Sequence, residues 1–241
     1  MFSDVRLVVF CLSAFLVFCA LSADHPPSAS AAAYAPGELP DTDYGCALHD
    51  GFVPIPHTGR DYLLELTGRL APAAGEDPAA YSVDVIRETH GPEYINAMTC
   101  ANSKVVWVSR KAYGELYGYE PALAYLMAHE IGHGSHRSVR VTDRDPMGAA
   151  ERQLRSHLNH RQRHEVAVDQ RAAEIMLAAG FTTEEVLAGA RYILWQDGAD
   201  LILNGSPSHP RGWDRLALLR YYLNRRPQPA APVANRVLPR Y

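Results

Sequence analysis

The chain has 241 residues, 47% of them apolar and 21% charged, with a formal net charge of −4. This is ordinary for a globular protein and predicts one domain plus targeting and linker segments, with two small domains as the alternative. The charge balance excludes a bias towards nucleic acid or anionic membranes, and no Arg-rich stretch alternates with aromatics as a nucleic-acid site would.

Residues 1–23 read as a targeting segment outside the fold. A largely apolar run from Leu7 to Leu21 follows Arg6, although Asp4 offsets that charge. The run is long for a signal-peptide core and short for a membrane span. Small residues at Ala20 and Ser22 offer a cleavage site, which predicts export to the periplasm or secretion. The alternative is a membrane anchor over residues 7–21. No later segment is apolar enough to span a bilayer. Residues 24–42, rich in Pro, Ala and Ser, read as a flexible leader. Outside the targeting segment the chain keeps Cys46 and Cys100, a disulfide candidate in an oxidising compartment. The other reading is two buried thiols. Neither cysteine has the CxxC spacing of a zinc site.

A folded domain is expected over residues 43–226. Residues 43–59 are turn-rich. Leu63, Leu66 and Leu70 recur at helical spacing, predicting a helix over 61–70 that stops before Pro72. Strands are expected over 81–86, 95–98 and 104–108, the last rich in β-branched and aromatic residues. Ser109 is placed to cap a short helix over 110–117. Glu120–Pro121 opens a longer helix, with Pro at its first position, and Gly134 offers it an end. Residues 137–163 are Arg-rich and predict a loop followed by a polar, solvated helix. Another helix is expected over 164–179, ending at Gly180. Thr182 to Glu185 resembles a capping box leading into the next helix. Residues 204–210 read as a loop, Trp213 to Asn224 as the last helix, and 227–241 as a Pro-rich tail. The fold class is α+β, mainly α-helical, with a small short-stranded sheet beside the helix that follows Glu120.

That helix carries His129-Glu130-Ile131-Gly132-His133, an HExxH pattern. Residues i and i+4 share a helix face, so both imidazoles can reach one ion, and Glu130 is aimed at the water such an ion activates. Two histidines leave one protein ligand to find. Glu165 is the best candidate, because Glu165 and Asp169 share a face of a later helix. Glu165 can then bind the metal while Asp169 accepts the free ring N–H of a ligand histidine. Weaker alternatives are His136, His157, His160 and His164. The cofactor expected is one Zn2+ per chain, although such a donor set accepts other divalent ions.

HExxH followed by a helical ExxxD resembles the M48 family of zinc peptidases. Asn96–Ala97 before the strand Val105–Ser109, and Ser208-His209-Pro210 followed by Arg215, extend the likeness over roughly residues 60–222. The resemblance implies a zincin-like peptidase domain hydrolysing peptide bonds of unfolded or misassembled envelope proteins. It implies that Val105, Val106, Trp107 and Val108 form an edge strand that pairs with extended substrate. It also implies a place near the metal for His209, as an oxyanion-stabilising group or a removable fourth ligand, and a supporting role for Arg215. Val168 departs from the family's usual Ala, and no membrane hairpin lies between the two metal helices, which favours the soluble branch. The alternative function is a latent or non-proteolytic zinc-binding assembly factor or chaperone of the envelope.

Overall fold

The computed structural model describes residues 51–90, 93–99, 104–135, 148–196 and 205–226. The segments expected to be a targeting signal, a leader and a tail, together with Cys46, Cys100 and His136, lie outside them. The described residues form a mainly helical α+β unit with a four-stranded mixed sheet. No helix among them is long and apolar enough to cross a membrane.

The chain enters through β1 (Phe52–Ile55), in a stretch expected to be turns. Phe52, Val53 and Ile55 are strand formers. Pro54, which cannot donate to a ladder, is tolerated because β1 is an edge strand. Helix α1 (Arg60–Ala74) runs past Pro72, four residues beyond its expected end. Its stop is Gly75, which adopts a left-handed φ of 80°. The Gly75 N–H returns to Pro72 O and the Glu76 N–H to Ala71 O. Leu63, Leu66 and Leu70 are buried, as their spacing required.

Strands β2 (Ser82–Glu88), β3 (Ala97–Thr99) and β4 (Val105–Ser109) fall within two residues of expectation. The sheet order is β1-β2-β4-β3, with β2 parallel to β4 and the other two pairs antiparallel. One expectation is overturned here. Val105, Val106, Trp107 and Val108 lie in β4, which is bonded on one side to β2 and on the other to β3. All four side chains are buried. Both backbone edges of β4 are taken, so it cannot receive a substrate strand. Among the described residues, the outer strand on that side of the sheet is β3.

Ser109 caps α2 (Arg110–Leu116) through its Oγ, which accepts the Ala112 N–H at 3.0 Å. Helix α3 (Glu120–Gly134) lies at the centre of the described residues, with every residue from Ala122 to Gly132 buried. A helix apolar on all sides finds partners on all sides. It packs against α5 (His160–Ala178), α6 (Thr183–Gln196), α1 and β3. Gly189 of α6 meets the backbone of Pro121, where an added Cβ would fall 2.2 Å from the Pro121 carbonyl oxygen. The Thr182–Glu185 capping box forms as read, with Thr182 N–H to Glu185 Oε2 at 2.7 Å and Glu185 N–H to Thr182 Oγ1 at 3.1 Å.

Two further corrections concern residues 148–163. The polar helix α4 (Ala149–Ser156) is not simply solvated. Glu151 is buried and held by Arg155 and by Arg225 of α7 (Gly212–Arg225). Helix α5 starts at His160 rather than His164, because Asn159 and Gln162 form a capping box.

Candidate metal centre

Helix α3 carries its HExxH residues into the core rather than along a wet surface. Their approach to α5 depends on Gly132, whose missing side chain faces Val168. A Cβ there would lie 3.2 Å from Val168 Cγ1, so the two helices come close at the level of the histidines. His129, His133 and Glu165 are thereby gathered, with one ligand atom each lying within 4.8 Å of the others. His129 Nε2 is 3.2 Å from Glu165 Oε2 and His133 Nε2 is 3.6 Å from it. The two Nε2 atoms are 3.1 Å apart. Donors about 2.0–2.1 Å from one tetrahedral ion sit about 3.3 Å from each other. The three spacings match that edge.

The chemistry of these atoms also fits a cation. The buried Glu165 Oε2 has no donor in aligned hydrogen-bond geometry, although imidazole nitrogens flank it. Burial would raise the pKa of Glu165, but His129 and His133 pull it well below the ordinary carboxylate range. Burial would likewise lower His129. Asp169 and Glu165 overcome this and hold the imidazole up to about 9. The pocket therefore stabilises positive charge at the point where the three donor atoms meet.

Asp169 supports the centre from behind. Its Oδ1 lies 3.1 Å from His129 Nδ1, which favours the ring proton there and leaves the Nε2 lone pair for the ion. Arg215 of α7 donates Nε to Oδ2 at 2.8 Å and Nη2 to Oδ1 at 2.7 Å. Tyr125 donates its hydroxyl to Oδ1 at 2.8 Å. Tyr125 was not singled out in the sequence, yet it lies one helical turn before His129 on the same face.

Glu130 is buried beside the triad. Burial pushes its carboxyl up to about 7, against the opposing charge of His129, and it accepts a backbone hydrogen bond from Thr99 of β3. A carboxylate poised near neutrality is suited to taking and returning a proton. The strand beside Glu130 is thus β3, not the strand over 105–108 that was expected at the site. At the far end of α3, Lys104 donates Nζ to Gly134 O at 3.0 Å and to Glu76 Oε2 at 2.8 Å. A cation there complements the helix C-terminus and fixes the turn that holds His133.

His209 stands at the open side. Its Nε2 is 3.5 Å from Glu165 Oε2, and its side chain is 47% exposed. It touches the donor set through Glu165, whereas the close set of ligand atoms among the described residues is His129, His133 and Glu165. His164 is outside that set, its ring lying against His133 at 5.4 Å between centroids. His157 and His160 are exposed.

Neither the models of known protein families nor the curated proteins contain a match to this chain.

Proposed function

We propose that this chain is a zinc-dependent endopeptidase of the HExxH-plus-Glu type, with a zincin-like fold resembling the M48 family. The observation that carries the proposal is the meeting of His129 Nε2, His133 Nε2 and Glu165 Oε2 at ligand-to-ligand spacing, with the buried Glu130 beside them. His129, His133 and Glu165 would hold the ion. When bound, zinc supplies Lewis acidity, which acidifies water and polarises a carbonyl.

The protein's own groups supply the rest. Glu130 takes the proton of the attacking water and delivers it to the leaving amine, a task that its raised pKa suits. Asp169, fixed by Arg215 and Tyr125, sets the His129 tautomer. The outer edge of β3, next to Glu130, is the surface on which an extended polypeptide would add as a strand. Backbone pairing is indifferent to side chains, which agrees with unfolded or misassembled envelope proteins as substrates. The exported location rests on residues 1–23.

A second reading is a latent or non-proteolytic zinc-binding assembly factor, with the envelope partner that this implies. The nearness of His209 to Glu165 favours it, because a fifth polar group beside the open position can obstruct it. Hydrolysis of an unfolded protein such as casein, with and without a chelator, tests the first reading. Activity lost to the chelator and restored by about one equivalent of zinc supports the peptidase. A zinc-loaded chain with no hydrolysis, in which His209→Ala restores none, sinks it.

A further inference from the structure

We propose that Asn159 and Gln162, which cap α5, also act as positioning residues for His209; this deepens the reading above and rests on it. The loop that carries His209 is bonded to itself. The Ser206 N–H donates to His209 O at 2.8 Å, and Ser206 Oγ accepts the N–H groups of His209 at 2.9 Å and Ser208 at 3.3 Å. Ser208 Oγ lies 2.9 Å from His209 Nδ1, orienting the ring so that Nε2 faces Glu165. Gly205, with a left-handed φ of 67°, closes the turn so tightly that a Cβ there would lie 2.8 Å from His209 O. These bonds tie residues 205–209 into one piece.

That piece is fastened to α5 at two points. Gln162 Nε2 donates to Ser206 O at 2.8 Å, and Asn159 Nδ2 donates to Pro207 O at 3.0 Å. The same two amides close the capping box through their oxygens. Asn159 Oδ1 accepts the Gln162 N–H at 3.0 Å, and Gln162 Oε1 accepts the Asn159 N–H at 3.1 Å. Each side chain therefore spends its oxygen on the helix and its NH2 on the loop. An N-cap needs only the acceptor, which Asp and Glu supply as well. Only the amides can also donate. Glu165 follows Gln162 by one helical turn, so a single turn of α5 carries both the metal ligand and the anchor of the His209 loop.

The test is the double variant Asn159→Asp/Gln162→Glu in the full chain, which keeps both capping oxygens and removes both loop donors. Hydrogen exchange of the Ser206 and His209 amides should speed up by about tenfold or more while α5 stays protected. Each single variant should give an intermediate rate. In peptide hydrolysis, kcat/KM should shift in the direction that His209→Ala shifts it. No further shift should appear when the double variant is added to His209→Ala, whereas a mere effect of the two added charges would persist in that background. Unchanged exchange at Ser206 and His209, or a shift that adds in full to that of His209→Ala, overturns the proposal alone. If His209→Ala alters neither hydrolysis nor zinc affinity, the role of His209 falls, and the proposal with it.

Discussion

Arg215 grips Asp169 with two parallel hydrogen bonds, of 2.8 and 2.7 Å, and both side chains are almost wholly buried. This fork joins α7 to α5 directly behind His129. Removing one partner of a buried charge pair strands the other, at a cost of about 3–5 kcal/mol. Arg215→Met should therefore lower the unfolding free energy by about 3 kcal/mol in urea titration. It should also weaken zinc binding by about tenfold or more, because Asp169 then holds His129 less firmly. Unaltered zinc affinity in chelator competition would contradict the supporting role of Asp169.

Gly189 sets how closely α6 approaches the start of α3. An added Cβ would collide with backbone, 2.2 Å from Pro121 O and 2.7 Å from Pro121 C, and backbone cannot swing aside as a side chain can. Gly189→Ala should cost about 3 kcal/mol by urea titration, at the upper end for overpacking. A loss under about 1 kcal/mol, within the range of ordinary surface changes, would mean that the helices separate freely.

Gly205→Ala puts an L side chain at a φ of 67°, with His209 O 2.8 Å and Arg211 N 2.9 Å away. The left-handed conformation alone costs about 1–2 kcal/mol. The variant should melt at lower temperature, and its kcat/KM should change in the same direction as that of His209→Ala. A normal melting temperature with normal kinetics would show that the loop tolerates rearrangement.

Asp84, on β2, is buried with one carboxylate oxygen lacking a hydrogen-bond partner. Burial raises its pKa above the usual carboxylate range, against the opposing effect of Arg60. A raised native pKa means that the native state holds the proton more tightly than the unfolded chain. The associated stability is full below about pH 4 and is lost as pH rises through the native pKa. Asp84→Asn escapes that loss. Its urea midpoint should match the wild type near pH 4 and exceed it at pH 7. A midpoint at pH 7 below that of the wild type would show that the Arg60 pair outweighs the burial cost.

The donor set was legible because its signals are local. His129 and His133 are four apart on an apolar helix, and Glu165 and Asp169 are four apart on the next long one, so helical geometry alone puts each pair on one face. Strand order was not legible in the same way, because pairing is set by contacts distant in sequence. The run Val105-Val-Trp-Val108 did hold a clue. It has no polar alternation, the mark of a strand buried on both faces and hence interior. Strand β1 was hidden by Pro54 and the surrounding glycines, which mark turns unless the strand lies at an edge. The burial of Glu151 depends on Arg225, 74 residues away, and no window of sequence carries that. The cap of α5 was readable from Asn159-His-Arg-Gln162, a pattern masked by the Arg-rich stretch around it.

In the proposed mechanism Glu130 does proton chemistry beside an ion held by its neighbours. The most direct measurement is zinc content and casein hydrolysis of the wild type and Glu130→Gln, purified in parallel. About one zinc per chain is expected in both proteins, with hydrolysis in the wild type and a loss of roughly a hundredfold or more in the variant. Equal hydrolysis by the two proteins, or no bound zinc in either, would contradict that mechanism.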